Sequence, residues 1–99
     1  MKITKKAEGD KLTVCIEGRL DTATSPELAE ELKGSLEGVK EFVFDFTKLE
    51  YISSSGLRVL VSTQKQMQKQ NGTMVVKNPC ELVTEVFEVT GFVDILTIE

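Results

Sequence analysis

The chain has no histidine, only two cysteines and two prolines, and no long apolar run; each shortage removes a class of function. Without histidine the serine–histidine–acid arrangement that activates a serine nucleophile cannot be built, and imidazole is missing from any metal ligand set. Cys15 and Cys80 are too few and too far apart in sequence for a disulfide framework or a thiolate metal site. Both read as reduced thiols, Cys15 as a small buried strand residue and Cys80 at a helix start. No segment approaches the ~20 apolar residues of a bilayer span, and the opening MKITKKAEGDKL has no apolar centre of the signal-peptide kind. A cytoplasmic location is therefore expected, with no membrane partner. Twelve basic residues face sixteen acidic ones, for a formal net charge of -4. The lysines are scattered rather than gathered into a stripe, which argues against a nucleic-acid partner.

What remains is the composition of a soluble globular domain, 40% hydrophobic and 28% charged over 99 residues, enough for one modest core and hence a single domain over 1–99. Ile3 to Ala7 and Leu12 to Glu17 flank the turn signal Glu8-Gly9-Asp10, which predicts an opening hairpin. Thr24-Ser25-Pro26-Glu27 predicts a helix start, with Thr24 or Ser25 as cap; Leu28, Leu32 and Leu36 then recur every fourth residue up to a stop at Gly38. Phe42, Phe44 and Phe46 alternate with Val43 and Asp45 as a buried strand does. A helix after the serines carries Leu57, Leu60, Val61 and Met67 on one face and Arg58, Ser62 and Lys65 on the other, ending at Asn71-Gly72. Thr73 to Lys77 reads as a strand, Glu81 to Thr90 as a helix capped by Gly91, and Asp94 to Ile98 as a last strand. The expected fold is α/β: a mixed, mainly parallel sheet with an N-terminal antiparallel hairpin and helices packed on it. In such sheets binding residues gather in loops at the carboxyl ends of strands, here Gly18 to Thr24, Thr47 to Ser55 and Asn78-Pro79.

The segment LEYISSSGLRVLV, residues 49 to 61, sets three serines before a glycine and an apolar run. One serine suffices to cap the helix that starts near Gly56, which leaves two without a structural task. The free N–H groups of a helix N-terminus suit an anion or a phosphoryl group, so a phosphoacceptor serine or a bound anionic ligand is expected. No P-loop accompanies it, since no glycine-lysine-serine or glycine-lysine-threonine follows at the needed spacing, and Lys48 and Lys65 have no evident desolvation that would make either a base. For Asp45, at the end of an apolar strand, the expected role is to hold loop N–H groups; Asp21, on a loop nearer the surface, is expected to meet a partner.

The stretches EGRLDTAT at 17 to 24, FVFDFTKLEYISSSGLRVLV at 42 to 61, NGTMVVKNP at 71 to 79 and EVTGFVDILTI at 88 to 98 resemble the STAS domain of the anti-sigma factor antagonist, or anti-anti-sigma, family, in order and in spacing over nearly the whole chain. The resemblance implies a non-enzymatic regulator, without catalytic residues, cofactor or metal. Unphosphorylated, it would bind an anti-sigma factor with serine-kinase activity and free a sigma factor; phosphorylation would end that binding, and a serine phosphatase would restore it. Carried over by position, the acceptor is Ser54, with Ser55 as the adjacent alternative. The implied partner surface is Asp21, Thr22, Ser53, Ser55, Gly56, Leu57, Arg58 and Ser62. Ser53 stands where better-known members carry aspartate, so a negative charge beside the acceptor is missing. Two other functions are weighed against this one: a STAS docking subunit of a larger assembly, such as a lipid-transport complex or a stressosome, and a nucleotide-binding or nucleotide-hydrolysing protein, which the lack of a P-loop and of a metal-carboxylate cluster disfavours.

Overall fold

The computed structural model describes residues 1–99. Its strands are β1 (Lys2–Glu8), β2 (Lys11–Leu20), β3 (Glu41–Asp45), β4 (Leu49–Ile52) and β5 (Thr73–Lys77), and its helices α1 (Ser25–Leu32), α2 (Ser54–Lys69) and α3 (Glu81–Thr90). The strands form one mixed sheet of order β1-β2-β3-β5, with β4 also on β2. The β1–β2 pair is antiparallel and every other pair is parallel. The expected α/β fold with its opening hairpin is therefore the observed one.

Register decides which side chains are buried. Leu12, Phe42 and Met74 lie in one cross-strand row and Val14, Phe44 and Val76 in the next, and all six are buried. Leu28 and Leu32 of α1, Leu57, Leu60 and Met67 of α2, and Val83 and Phe87 of α3 complete the same core, so the helices cover one face of the sheet. The phenylalanine ladder packs edge-on between Phe42 and Phe44, at 4.7 Å between ring centroids, a favoured aromatic geometry. Cys15 belongs to the other, helix-free face, in the row with Asp45 and Lys77. It is half-buried rather than buried, because strand alternation gives the inward places to Val14 and Ile16.

Several elements depart from expectation. Strand β2 runs on to Leu20 instead of ending at Glu17, so Gly18 to Leu20 of the expected loop are strand. Helix α1 ends at Leu32, not near Gly38, because Lys33 is extended and Gly34 follows at a φ of 80°; Leu36 keeps the every-fourth spacing but packs on the core from an irregular turn. Helix α2 begins at Ser54, two residues earlier than expected. Its end does fall at Asn71-Gly72: Asn71 takes a φ of 60°, and the N–H groups of Gly72 and Asn71 donate to the carbonyls of Met67 and Gln68 at 2.8 and 3.1 Å, a Schellman closure.

The segment expected as a loop contains strand β4. Its buried residues, Leu49 and Ile52, are three apart rather than two, because the pairing slips between Gly18 and Arg19 and leaves Glu50 unpaired. A bulge of this kind erases the period-two signal, and Gly18 accommodates it with a φ of 98°.

The expected last strand over Asp94–Ile98 is instead a 3-10 turn, Phe92–Asp94, and a single parallel bridge from Ile98 to Val76. Gly91 reverses the chain at a φ of 78°, and the N–H groups of Ile95 and Leu96 both donate to the carbonyl of Phe92. Pairing with β5 survives only at the end of the segment, where the N–H groups of Val76 and Asn78 donate to the carbonyls of Thr97 and Glu99 and the Glu99 N–H donates to the Val76 carbonyl; Leu96 and Ile98 still face the core.

Candidate functional site

Helix α2 starts where β4 stops, and β4 stops beside the end of β2, with Leu20 paired to Ile52. The Ser53 N–H donates to the carbonyl of Leu20 at 2.9 Å. That bond brings the serine run alongside the turn that follows β2.

The three serines divide the work. Ser53 is the N-cap, extended at a φ of -99° and a ψ of 174°, and its hydroxyl accepts the Gly56 N–H at 3.4 Å. Ser55 lies with its hydroxyl 3.5 Å from that of Thr22, which joins the two loops. Ser54 is exposed and its hydroxyl has no intramolecular hydrogen bond. It is the first residue of α2, where backbone N–H groups lack intrahelical acceptors and the dipole favours negative charge. Replacing Ser53 by alanine is expected to lower stability by about 0.5 kcal/mol, the low end for a cap because the bond is long. Ser54→Ala should stay within about 0.5 kcal/mol of the parent, as exposed substitutions do. Urea titrations of the two variants make the comparison, and an equal loss in both would remove the distinction.

The turn beside the serines is built by Asp21. Its Oδ1 accepts the N–H groups of Ala23 and Thr24 at 3.0 and 3.1 Å. The Thr24 hydroxyl accepts the Asp21 N–H at 2.8 Å, and both the N–H and the hydroxyl of Ser25 donate to the Asp21 carbonyl. Thr24 is thus the N-cap residue of α1 without a capping bond from its side chain. The Thr24 backbone and hydroxyl bonds are the leading cause holding the Asp21 carboxyl below its ordinary range. Asp21 is on the expected loop, but its carboxylate is committed to the turn, with Oδ2 facing the Arg19 guanidinium at 3.9 Å. Arg19 in turn lies over the Tyr51 ring, 4.3 Å from its centroid. Arg19 and Tyr51 went unnoticed in the sequence because their pairing depends on the β2–β4 register.

Asp45 does what was expected of it. Its Oδ1 accepts the N–H of Thr47 at 3.0 Å and the Thr47 hydroxyl, and Asn78 donates to that hydroxyl at 3.3 Å. The Asn78-Pro79 loop therefore joins Asp45 and Thr47 and makes no hydrogen bond to the serine loop, because β4 carries the chain onward from the end of β3 to the end of β2.

The Thr47 hydroxyl bond is the largest cause holding the Asp45 carboxyl low, and burial opposes it. On the same face, burial and then the Asp45 charge push the Cys15 thiol up. A carboxyl held low when folded takes up its proton first in the unfolded chain, so this stability is complete above the ordinary value of 3.8 and is lost as pH falls through the folded value. Urea midpoints should be flat above about pH 5 and fall below about pH 4, with a shallower acid slope in Asp45→Asn. An unchanged slope in that variant would assign the acid loss to other carboxyls.

Exposure sorts the remaining candidates. Thr22, Arg58 and Ser62 are exposed, and Ser53 and Ser55 are half-buried. Gly56 and Leu57 are buried; they were expected at a partner surface, but they pack inward and position the loop. Arg58 and Ser62 border a groove between α1 and α2 floored by Leu32, Leu36 and Val59. Both aspartates nearest the loops accept hydrogen bonds that hold their carboxyls below the ordinary range. No group of three His, Cys, Asp or Glu side chains is placed to hold a metal. No helix is long and apolar enough to cross a membrane.

The STAS domain family model matches residues 2–99. The chain is 36% identical over 102 residues to BtrV of Bordetella bronchiseptica, provisionally named an anti-sigma factor antagonist, covering 99% of this chain and 85% of that one. It is 33% identical over 94 residues to the anti-sigma-B factor antagonist of Bacillus subtilis, covering 95% and 85%. Among solved structures it resembles the anti-sigma factor antagonist SpoIIAA, with a TM-score of 0.86 to the unphosphorylated form at 16% identity over 99% of this chain and 88% of that one. The Bacillus cell fate determinant SpoIIAA in its phosphorylated form gives a TM-score of 0.77 at 15% identity over 99% of this chain and 91% of that one. With the family model spanning all but the first residue, and with curated relatives matched over most of their length, the chain belongs to the STAS-domain family of anti-sigma factor antagonists.

Proposed function

We propose that this chain is a non-enzymatic partner switch controlled by phosphorylation of Ser54. Unmodified, it binds an anti-sigma factor with serine-kinase activity and so frees a sigma factor; phosphorylated, it lets that partner go, and a serine phosphatase returns it to the binding form. The observation that carries the reading is the division of the serines: Ser53 caps α2 and Ser55 meets Thr22, while the Ser54 hydroxyl is exposed and unengaged at the helix N-terminus. That the related SpoIIAA has been solved in a phosphorylated and an unphosphorylated form supports it.

The energetics favour a switch of binding rather than of folding. A phosphate adds roughly 1.5 to 2 negative charges. At the first residue of α2 they meet free N–H groups and the positive end of the dipole, and no acidic residue stands in the first turn to oppose them. Facing a partner, the same charges must be desolvated and paired, which weakens the complex. The contact surface is Thr22, Ser53 and Ser55 around the acceptor, continued by Arg58 and Ser62 along α2. Asp21, Gly56 and Leu57 hold these groups in place.

Affinity capture from the source cells with wild-type and Ser54→Asp bait, with mass spectrometry of the retained proteins, tests the reading. The wild type should retain a kinase-like anti-sigma factor and the variant should lose it. Equal retention by both baits would overturn phosphorylation control. Retention of a multi-subunit assembly without a kinase would favour a docking subunit instead.

A further inference from the structure

Apart from Met1, the exposed large apolar side chains all lie near the C-terminus: Leu82 at 47% exposure, Val89 at 81%, Val93 at 40% and Ile95 at 51%. Leu82, half-buried Val86 and Val89 are four and seven residues apart, so they form one stripe along α3. The inward face of that helix is occupied separately, by Val83 and Phe87. Val86 touches the core from its inner side, but Leu82 and Val89 are turned outward, and Val89 in particular meets mostly water.

Charge says what could cover it. Beyond Lys77 the chain has five acidic residues, Glu81, Glu85, Glu88, Asp94 and Glu99, and no lysine or arginine. Of these only Glu99 is in an ion pair, with Lys77 at 4.0 Å; the six ion pairs of the molecule include none of the other four. Glu81, Glu85 and Glu88 fall on the flank of α3 beside the apolar stripe, at three- and four-residue spacing. A second copy docked through the same stripe would set these glutamates against each other, and an anionic lipid surface would be repelled.

We infer that the α3 stripe of Leu82, Val86 and Val89, with its glutamate flank, is a second protein-docking surface that takes a basic amphipathic helix of a partner. Leucine-type side chains of that helix cover the stripe, and its lysines or arginines pair with Glu81, Glu85 and Glu88, the helix-on-helix counterpart of apolar seams flanked by opposite charges. No hydrogen bond or ion pair joins this surface to the serine loop or to the turn at Asp21.

The test uses the whole chain and a synthetic 18-residue peptide with one leucine stripe and lysine elsewhere, against a counterpart with glutamate in place of lysine. Amide chemical shifts recorded during titration should move over residues 81–96. Affinity should fall about tenfold as salt rises from about 0.05 to 0.5 M, as screening requires. Val89→Ser, at a position too exposed to support the fold, and the triple variant Glu81→Gln, Glu85→Gln, Glu88→Gln should each weaken binding at least about fivefold. Ser54→Asp should leave it unchanged. Equal binding of the glutamate peptide, shifts centred on another face, or no shifts would overturn the proposal. So would a concentration-dependent dimer by sedimentation that Val89→Ser disperses, since that would place a second copy on the stripe.

Discussion

Gly56→Ala is expected to lower the melting temperature by roughly 10 °C. A Cβ at this position would lie 2.8 Å from Ile52 Cγ1, 2.8 Å from Leu20 Cγ and 3.0 Å from the Leu20 carbonyl oxygen. None of these atoms can give way freely: Leu20 and Ile52 are buried at 0% and 1% exposure, and the Leu20 carbonyl is held by the Ser53 N–H at 2.9 Å. Alanine would gain about 1 kcal/mol of helix propensity over glycine, but overpacking a dense site costs about 3 kcal/mol. The net loss of about 2 kcal/mol corresponds to roughly 10 °C in a domain of this size. The helix start would also shift off β2 and β4 and carry Ser54 with it, so partner binding should weaken at temperatures where the variant is still folded. Calorimetry with a parallel binding titration checks both. A parent-like melting curve would mean that α2 is not seated against these two strands as described.

The glycine illustrates what the sequence could and could not reveal. A glycine after serines suggests close approach of the backbone, and that is its role, but what it approaches was hidden in β4. That strand does not alternate, because the bulge opposite Gly18 leaves Glu50 out of register and spaces Leu49 and Ile52 by three. The elements with a clean period were legible: β5 and α3 fall on the expected residues, and the phenylalanine ladder is buried as its alternation demands. Where a local turn interrupts a regular element, periodicity misleads, as at Leu36 beyond α1 and at Asp94 to Leu96 before the bridge at Ile98. For the site, the serine run and Asp21 were visible as residue types in a pattern. Their division of labour was not, because which serine caps depends on where α2 begins, and whether Asp21 faces outward depends on the Thr24 and Ala23 N–H groups.

Ser54→Ala and Ser54→Asp should separate binding from folding. Alanine removes a hydroxyl that bonds to nothing within the chain, so the variant should melt with the parent, bind the anti-sigma kinase as the parent does and resist phosphorylation. Aspartate adds one negative charge at the first residue of a helix whose first turn has no acid, which should raise stability by about 0.3 to 1 kcal/mol. Across the interface that charge imitates part of a phosphate, and affinity should fall at least about tenfold, the equivalent of about 1.4 kcal/mol. Stability and binding thus move in opposite directions in one variant, which neither a capping role nor general damage produces. Titration calorimetry against the captured partner, beside a urea curve, reads both quantities. Parallel losses in the two would return Ser54 to a purely structural role.

The most direct measurement is phosphopeptide mapping after incubation with the cognate anti-sigma kinase and ATP, using the parent chain and Ser54→Ala. A single phosphate on Ser54, absent from the alanine variant, is the predicted result. Phosphate on Ser55 or Ser53 in its place, or none on any of the three, would contradict it.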